Sequence, residues 1–587
     1  MIKIFKHLQG KDWLLIMCSL VFIVAQVWLD LKLPDYMYEI TMLVQTEGSK
    51  MSEVLVQGGY MLICAVGSMI AAMITGFFAA KVAAGFSVRL RGMVFEKTMS
   101  FSMEEINGFS TSSLITRSTN DITQIQLLIA TGLQVLVKAP ILAVWAIFKI
   151  MGKSWQWTAA TGFAVLFLIL MLSVIIIVAL PKFKVIQTLT DNLNRVTREH
   201  LSGIRVVHAY NAGGYQEEKF DKANNDLTNT NLFTSRVMAI LMPTMGLIMS
   251  GLGLVIYWIG AFLINQAAVP DRLSLFSDMV VFSSYAVQVI MAFMMLSFVF
   301  IMLPRASVSA KRINEVLNTK AKIIDGNLMN GKEGLTGEIE FRNVSFKYPD
   351  AKDYILRNIS FSAHKGETVA IIGSTGSGKT SLVNLIPRFY DATEGEILIN
   401  GMNVRNYSQE ALHDKLGYVS QKAVLFRGTV SSNVAYGHNV NIVSEETGIK
   451  KAIEIAQATE FVEKMESKYE GAIAQGGTNI SGGQKQRLSI ARAIFKQPEI
   501  YLFDDSFSAL DYKTDRILRS LLKKEIKDAT TIIVAQRIGT IKDADRIVVL
   551  DDGEVVGMGT HQELMINCEV YQEIAYSQLS KEELEIG

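Results

Sequence analysis

Gly373-Ser374-Thr375-Gly376-Ser377-Gly378-Lys379-Thr380 stands at the centre of the second half of this 587-residue chain. It has the form G-x-x-x-x-G-K-[ST], in the context that form requires. A buried-strand pattern, Glu367-Thr368-Val369-Ala370-Ile371-Ile372, runs straight into it, and an apolar helix pattern, Ser381-Leu382-Val383-Asn384-Leu385-Ile386, leaves it. Glycines let backbone N–H groups converge on phosphate oxygens, and the helix start adds a positive dipole. Lys379 is placed to reach the β- and γ-phosphates, and the Thr380 hydroxyl to hold Mg²⁺. A second strand pattern, Ile500-Tyr501-Leu502-Phe503, ends in Asp504, the carboxylate expected on the Mg²⁺ side. This segment is expected to bind a nucleoside triphosphate.

Between these motifs lies Asn479-Ile480-Ser481-Gly482-Gly483-Gln484-Lys485-Gln486-Arg487, followed by a helix-forming run. Ser481 and the two glycines open a helix there. That opening is either a plain capped helix or a second phosphate site. If both helices pack the domain, such a site would face a nucleotide held by a second copy or a partner. Upstream, Gly337 to Phe346 alternates apolar and polar residues for several positions, as a half-buried strand does.

Before about residue 320 the pattern changes. Charge-free apolar runs at 56–80, 154–181, 237–270 and 279–304 are each as long as or longer than the roughly 20 residues needed to cross a bilayer. A fifth lies at 13–29, and a sixth, between about 127 and 153, carries Lys138 and Lys149. The run 13–29 follows Lys3, Lys6 and Lys11 but has no small-x-small cleavage site, so it reads as an uncleaved first span. Ile2, Phe5 and Leu8 ahead of it suggest a short interfacial helix. Lys138 is expected to snorkel to the cytoplasmic boundary, with an internal cavity as the alternative. Met294-Met295, with Met238, Met242, Met245 and Met249, read as ordinary packing ahead of an adaptable binding surface.

Composition agrees with two unlike halves. Hydrophobic residues make 50% and charged ones 19%, below the roughly 25% of soluble proteins. The mean hydropathy of +0.28 argues against one water-soluble globule. A net charge of +1 gives no sign of a nucleic-acid partner, and three scattered cysteines exclude a disulfide scaffold. Lys and Arg crowd the stretches 89–117 and 182–236, whereas the connection after the first span (Asp30, Asp35, Glu39, Glu47, Glu53 against Lys32 and Lys50) is acidic. That asymmetry puts both termini and both long loops in the cytoplasm of a multi-pass protein of the cell membrane. The loops are polar and rich in helix formers, and are expected to extend the membrane helices.

Together these residues resemble an ABC exporter half-transporter, over essentially the whole chain and with specific motifs. The resemblance implies an all-α six-helix transmembrane domain (1–320), a linker (321–336) and an α/β, RecA-like P-loop nucleotide-binding domain (337–587), with ATP and Mg²⁺ as cofactors. It implies that Tyr348 stacks on adenine, that Gly373 to Ser381 cradle the phosphates, and that Thr380, Gln421 and Asp504 surround the metal. Ser481-Gly482-Gly483-Gln484 would be the signature that meets ATP on the opposite subunit, and Ser508 to Asp511 the D-loop. Gly108 to Asp121 and Glu199 to Phe220 look like the regions that couple the two domains.

Three positions depart from the family pattern. Asp505 stands where the family has a catalytic Glu, Gln536 where it has a His on the γ-phosphate, and Gln475 where it has an acid. Asp505 is one methylene short of the attacking water, and Gln536 cannot carry the imidazole charge. With Lys379, these residues resemble the degenerate site of a heterodimeric exporter, whose partner half carries the Glu and His. The expected cargo is a hydrophobic small molecule, lipid or peptide, with multidrug efflux favoured. The alternatives are a slow homodimeric lipid or peptide exporter and an ATP-gated regulatory membrane protein.

Overall fold

The computed structural model describes residues 2–46, 48–437 and 446–578. In a bilayer every backbone polar group must be satisfied internally, so apolar spans become helices. The first unit is helical throughout: α1 (Ile2–Phe5), α2 (Gly10–Gln45), α3 (Met51–Met99), α5 (Thr111–Ser118), α6 (Asn120–Met151), α7 (Trp155–Ser202), α8 (Ile204–Ala209), α9 (Gly213–Ala239), α10 (Leu241–Gln266) and α11 (Arg272–Asn318), whereas α4 (Met103–Phe109), between α3 and α5 in the chain, belongs to the second unit. Among the described residues, six stretches are long and apolar enough to cross a membrane: Gly10–Gln45, Met51–Met99, Thr111–Met151, Trp155–Ser202, Gly213–Gln266 and Val269–Asn318. Helices α3, α7 and α11, of 49, 48 and 47 residues, run far past the roughly 20 that a bilayer takes, so the basic loops are their continuations. Trp157, Phe282 and Tyr285 are fully buried in the core of this unit, with the Trp157 and Phe282 rings 5.4 Å apart.

Two sequence expectations need correction here. The first span does not close at Leu29 before an acidic connection. Helix α2 continues to Gln45 and carries Asp30, Lys32, Pro34 and Asp35 inside it. These charges are tolerated because they are paired. Asp35 lies 2.7 Å from Lys149 and also accepts from the Tyr285 hydroxyl, and Asp30 accepts from Ser68. Lys138 does not snorkel to the cytoplasmic boundary. Its ammonium lies 3.0 Å from Asp30, which is a less costly arrangement than an unpaired intramembrane charge.

The chain divides into two compact units. One comprises the residues up to Met99 and Ser112–Thr319; the other comprises Ser100–Thr111 and the chain from Lys320 onward. In the second unit, Glu105 Oε1 accepts from the Lys322 backbone N–H at 3.1 Å, Glu104 pairs with Lys322, and Asn107 Nδ2 donates to Tyr390 OH at 3.3 Å. The loop segment in that unit thus begins earlier than the expected Gly108.

The second unit is built on β1 (Ile339–Phe346), β2 (Leu356–Ala363), β3 (Thr368–Gly373), β4 (Glu394–Ile399), β5 (Met402–Asn403), β6 (Leu416–Val419), β7 (Gly428–Thr429), β8 (Ala472–Ile473), β9 (Ile500–Asp504), β10 (Thr530–Val534), β11 (Arg546–Asp551) and β12 (Glu554–Gly559). Strands β2-β1-β4-β5 form an antiparallel sheet. A six-stranded sheet has the order β12-β11-β3-β10-β9-β6 and is parallel apart from β12. Its strands β3, β9 and β10 are almost wholly buried, which matches their unbroken apolar runs. The carboxyl ends of β3, β10, β9 and β6 lie side by side, where parallel α/β sheets place their ligands.

Candidate active site

The strand order brings together residues far apart in sequence. The loop 373–380 leaves β3 and enters α12 (Lys379–Leu385). Gly376 and Gly378 hold φ of +92° and +94°, a region closed to most side chains. A Cβ on Gly378 would also lie 2.8 Å from Leu356 Cδ2. Lys379 is 9% exposed, and its Nζ donates to the Gly373 and Ser374 carbonyls at 2.8 and 2.6 Å. Burial pulls this ammonium below its ordinary pKa, so an arriving anion would relieve it.

Opposite the loop, Asp504 and Asp505 end and follow β9, at 2% and 8% exposure. Burial pushes both carboxyls above the usual range. The Thr380 hydroxyl donates to Asp504 Oδ1 at 3.1 Å. Desolvated carboxylates beside a hydroxyl are hard oxygen donors that fit a small divalent cation. Thr380 and Asp504 would hold Mg²⁺. Gln421 would join them through Oε1, because its N–H is directed at Asp505.

Asp505 is the hub of the site. Its Oδ2 accepts from Gln421 Nε2 at 3.2 Å and from Gln536 Nε2 at 2.8 Å. Its backbone sits at φ +47°, pinned by its N–H to Val534 O at 3.0 Å and by Ser508 Oγ to its own carbonyl at 2.9 Å. Two of the three departures noted in the sequence, Asp505 and Gln536, are therefore hydrogen-bonded to each other.

Other expected residues lie apart from this cluster. Tyr348 OH meets Ser381 Oγ at 3.0 Å, and its ring packs edge-on against Tyr390. Ser481 caps the helix Gly482–Lys496 in a reciprocal box with Gln484, whose Oε1 accepts from Ser481 N at 2.9 Å. Among the described residues, no hydrogen bond links Ser481 to Gln484 with the loop 373–380. Gln475 is exposed.

Two contacts near the site escaped the sequence reading. Gln578, in the helix Glu569–Gln578, donates from Nε2 to Gln536 O at 2.7 Å and accepts from Ile538 N at 2.9 Å. Gln486 ties the capped helix to the Gln421 loop by donating to Ser420 O at 3.1 Å. Neither carried a local signal beyond polarity.

Comparison with known proteins places this architecture. Residues 356–508 match the ABC transporter model, and residues 15–293 match the ABC transporter transmembrane region. An uncharacterized ABC transporter ATP-binding protein of Mycobacterium tuberculosis is 40% identical over 527 residues, 89% of this chain and 87% of its own. The chain belongs to the ABC transporter family. It is similar also to an uncharacterized ABC transporter ATP-binding protein of Bacillus subtilis (36% over 533 residues, 90% of each chain). An ATP-dependent lipid A-core flippase of Pseudomonas aeruginosa is 30% identical over 493 residues, 83% of this chain and 79% of the flippase. The solved structure of a bacterial Atm1-family ABC exporter with ATP bound superposes with a TM-score of 0.82, at 23% identity, over 97% of this chain and 99% of that one. This ABC chain is a half-transporter with membrane region and nucleotide-binding domain fused. As an ABC transport ATPase it uses ATP.

Proposed function

We infer that this ABC half-transporter exports a hydrophobic or amphipathic substrate across the cytoplasmic membrane, as the half of a heterodimer whose own ATP site is weakened. The observation that carries the reading is the 2.8 Å hydrogen bond from Gln536 to Asp505. An acid that orients a hydrolytic water needs a free oxygen at the water's position. Here two amides hold Oδ2 of the shortened carboxylate and fix its orientation, leaving only Oδ1 for a water, and among the described residues no imidazole stands beside it. Lys379 would leave the Gly373 and Ser374 carbonyls for the phosphates, so binding is kept while water activation is weakened. Mg²⁺, when bound, would neutralise charge on the phosphate oxygens. The reciprocal cap takes up the N–H groups of Ser481 and Gln484 and leaves those of Gly482 and Gly483 for a nucleotide on the partner, which supports a competent site there. The exposed Val206 in α8 and Tyr210 at its end suit docking of a second subunit.

Multidrug efflux is one expected cargo. The lipid A-core flippase relative favours lipid as the other. A direct test is to purify the chain alone and with a second half-transporter carrying Glu and His at the corresponding positions. The pair is expected to hydrolyse ATP at an ordinary transporter rate, and the chain alone roughly 100-fold more slowly. An ordinary rate from the chain alone, unchanged by Asp505→Glu, would overturn the weakened-site reading.

A further inference from the structure

Charged side chains are rare inside membrane spans, and where they occur they mark substrate or ion pathways. Two of this chain's spans share a column of them. Asp30 on α2 lies 3.0 Å from Lys138 on α6 and accepts from Ser68 on α3. Asp35 on α2 lies 2.7 Å from Lys149 and 3.6 Å from Lys32, and accepts from Tyr285 on α11. At 1.5 Å per residue, Lys138 lies about 20 Å along α6 from Met151, well within a roughly 30 Å hydrocarbon layer. The short connections after α2 and α6 lie on the same side of the bundle, the non-cytoplasmic side by the lysine and arginine asymmetry. The column therefore runs from Lys149, near the outward end of α6, to Lys138 deep within the span.

The balance of donors and acceptors in this column is unequal. The two carboxylates are each drawn on by two or three donors. Lys138, by contrast, meets only Asp30 among the described acceptors, and an ammonium has three N–H groups. The column holds three ammonium groups against two carboxylates. Gln288 on α11 donates to Asp30 O at 3.4 Å, and its buried Oε1 has no partner among the described residues. The unfilled capacity is thus cationic N–H donors plus one amide acceptor. Lys138 and Asp30 keep 17% and 25% side-chain exposure, so the pair is reachable.

We propose that Lys138, supported by Gln288, recognises the headgroup of the cargo, and that the cargo class is an amphiphile with an anionic oxygen and a hydroxyl on its headgroup. The anion takes the free N–H groups of Lys138, while the headgroup hydroxyl donates to Gln288 Oε1. This deepens the export reading and rests on it.

The test uses the full chain in its transport-active assembly, in phosphatidylcholine vesicles with ATP. Three probes are followed: fluorescent short-chain phosphatidylglycerol, the matching phosphatidylcholine, and the lipophilic cation tetraphenylphosphonium. The wild type is expected to move phosphatidylglycerol in preference to the other two. Lys138→Gln should reduce that movement roughly tenfold or more, the loss of one charge-assisted hydrogen bond. Lys138→Arg should retain most of it, which separates recognition from a folding defect. Equal losses for all three probes, or retained phosphatidylglycerol movement in Lys138→Gln, would overturn the assignment. Movement of the cation without phosphatidylglycerol would overturn it while leaving export standing. Failure to move any probe would overturn both.

Discussion

Lys379→Ala is expected to lower the ATP affinity of this chain's own site by about 10²- to 10⁴-fold. The ammonium is held at 9% exposure on two loop carbonyls, and burial depresses its pKa. It is therefore poised to exchange neutral acceptors for charged phosphate oxygens. A charge-assisted hydrogen bond contributes about 1.5–3 kcal/mol, and two of them convert to that range of affinity. Fluorescent-nucleotide titration of the full-length protein checks this. An unchanged affinity would show that the loop 373–380 is not where this chain holds ATP.

The second large effect is a gain. Asp505→Glu combined with Gln536→His is expected to raise hydrolysis at this site by about 100-fold, since a displacement of order 1 Å in a catalytic group costs about that much. The single change Asp505→Glu should recover less. Gln421 and Gln536 both donate to Oδ2 of the native carboxylate, and a longer acid would meet the same two amides. Only the double change replaces the Gln536 amide with a group that can carry charge. Phosphate release by variants of equal ATP affinity measures it. A double variant no faster than the wild type would place the defect elsewhere in the site.

What could be read in advance followed from interactions local in sequence. The loop 373–380 is a contiguous motif between a strand and a helix, and Asp504 ends an apolar run, so both were legible. The six spans were legible because hydrophobicity over about 20 residues is a summed signal. Pairing across the fold was not legible. Asp30 and Lys138 lie 108 residues apart, and only packing of α2 against α6 turns two awkward charges into one pair. The acidic residues after Leu29 read as a loop for the same reason: their partners stand on other helices. Asp505 and Gln536 were each noticed as departures, but their hydrogen bond follows from β9 and β10 being neighbours in the sheet. Gln578 was silent because a glutamine near the end of a polar helix resembles any surface residue until its contacts with Gln536 and Ile538 are seen. The place of Ser100–Thr111 in the second unit likewise depends on long-range contacts such as that of Asn107 with Tyr390.

The central claim is that this chain's own site binds ATP and hydrolyses it slowly. The most direct measurement is single-turnover hydrolysis of γ-labelled ATP by the transport-active assembly, with the partner half's P-loop lysine changed to alanine so that nucleotide binds only here. The prediction is that the label stays on the bound nucleotide for many times the ~0.1 s of an ordinary enzyme turnover. Release of labelled phosphate at the ordinary rate would contradict the account.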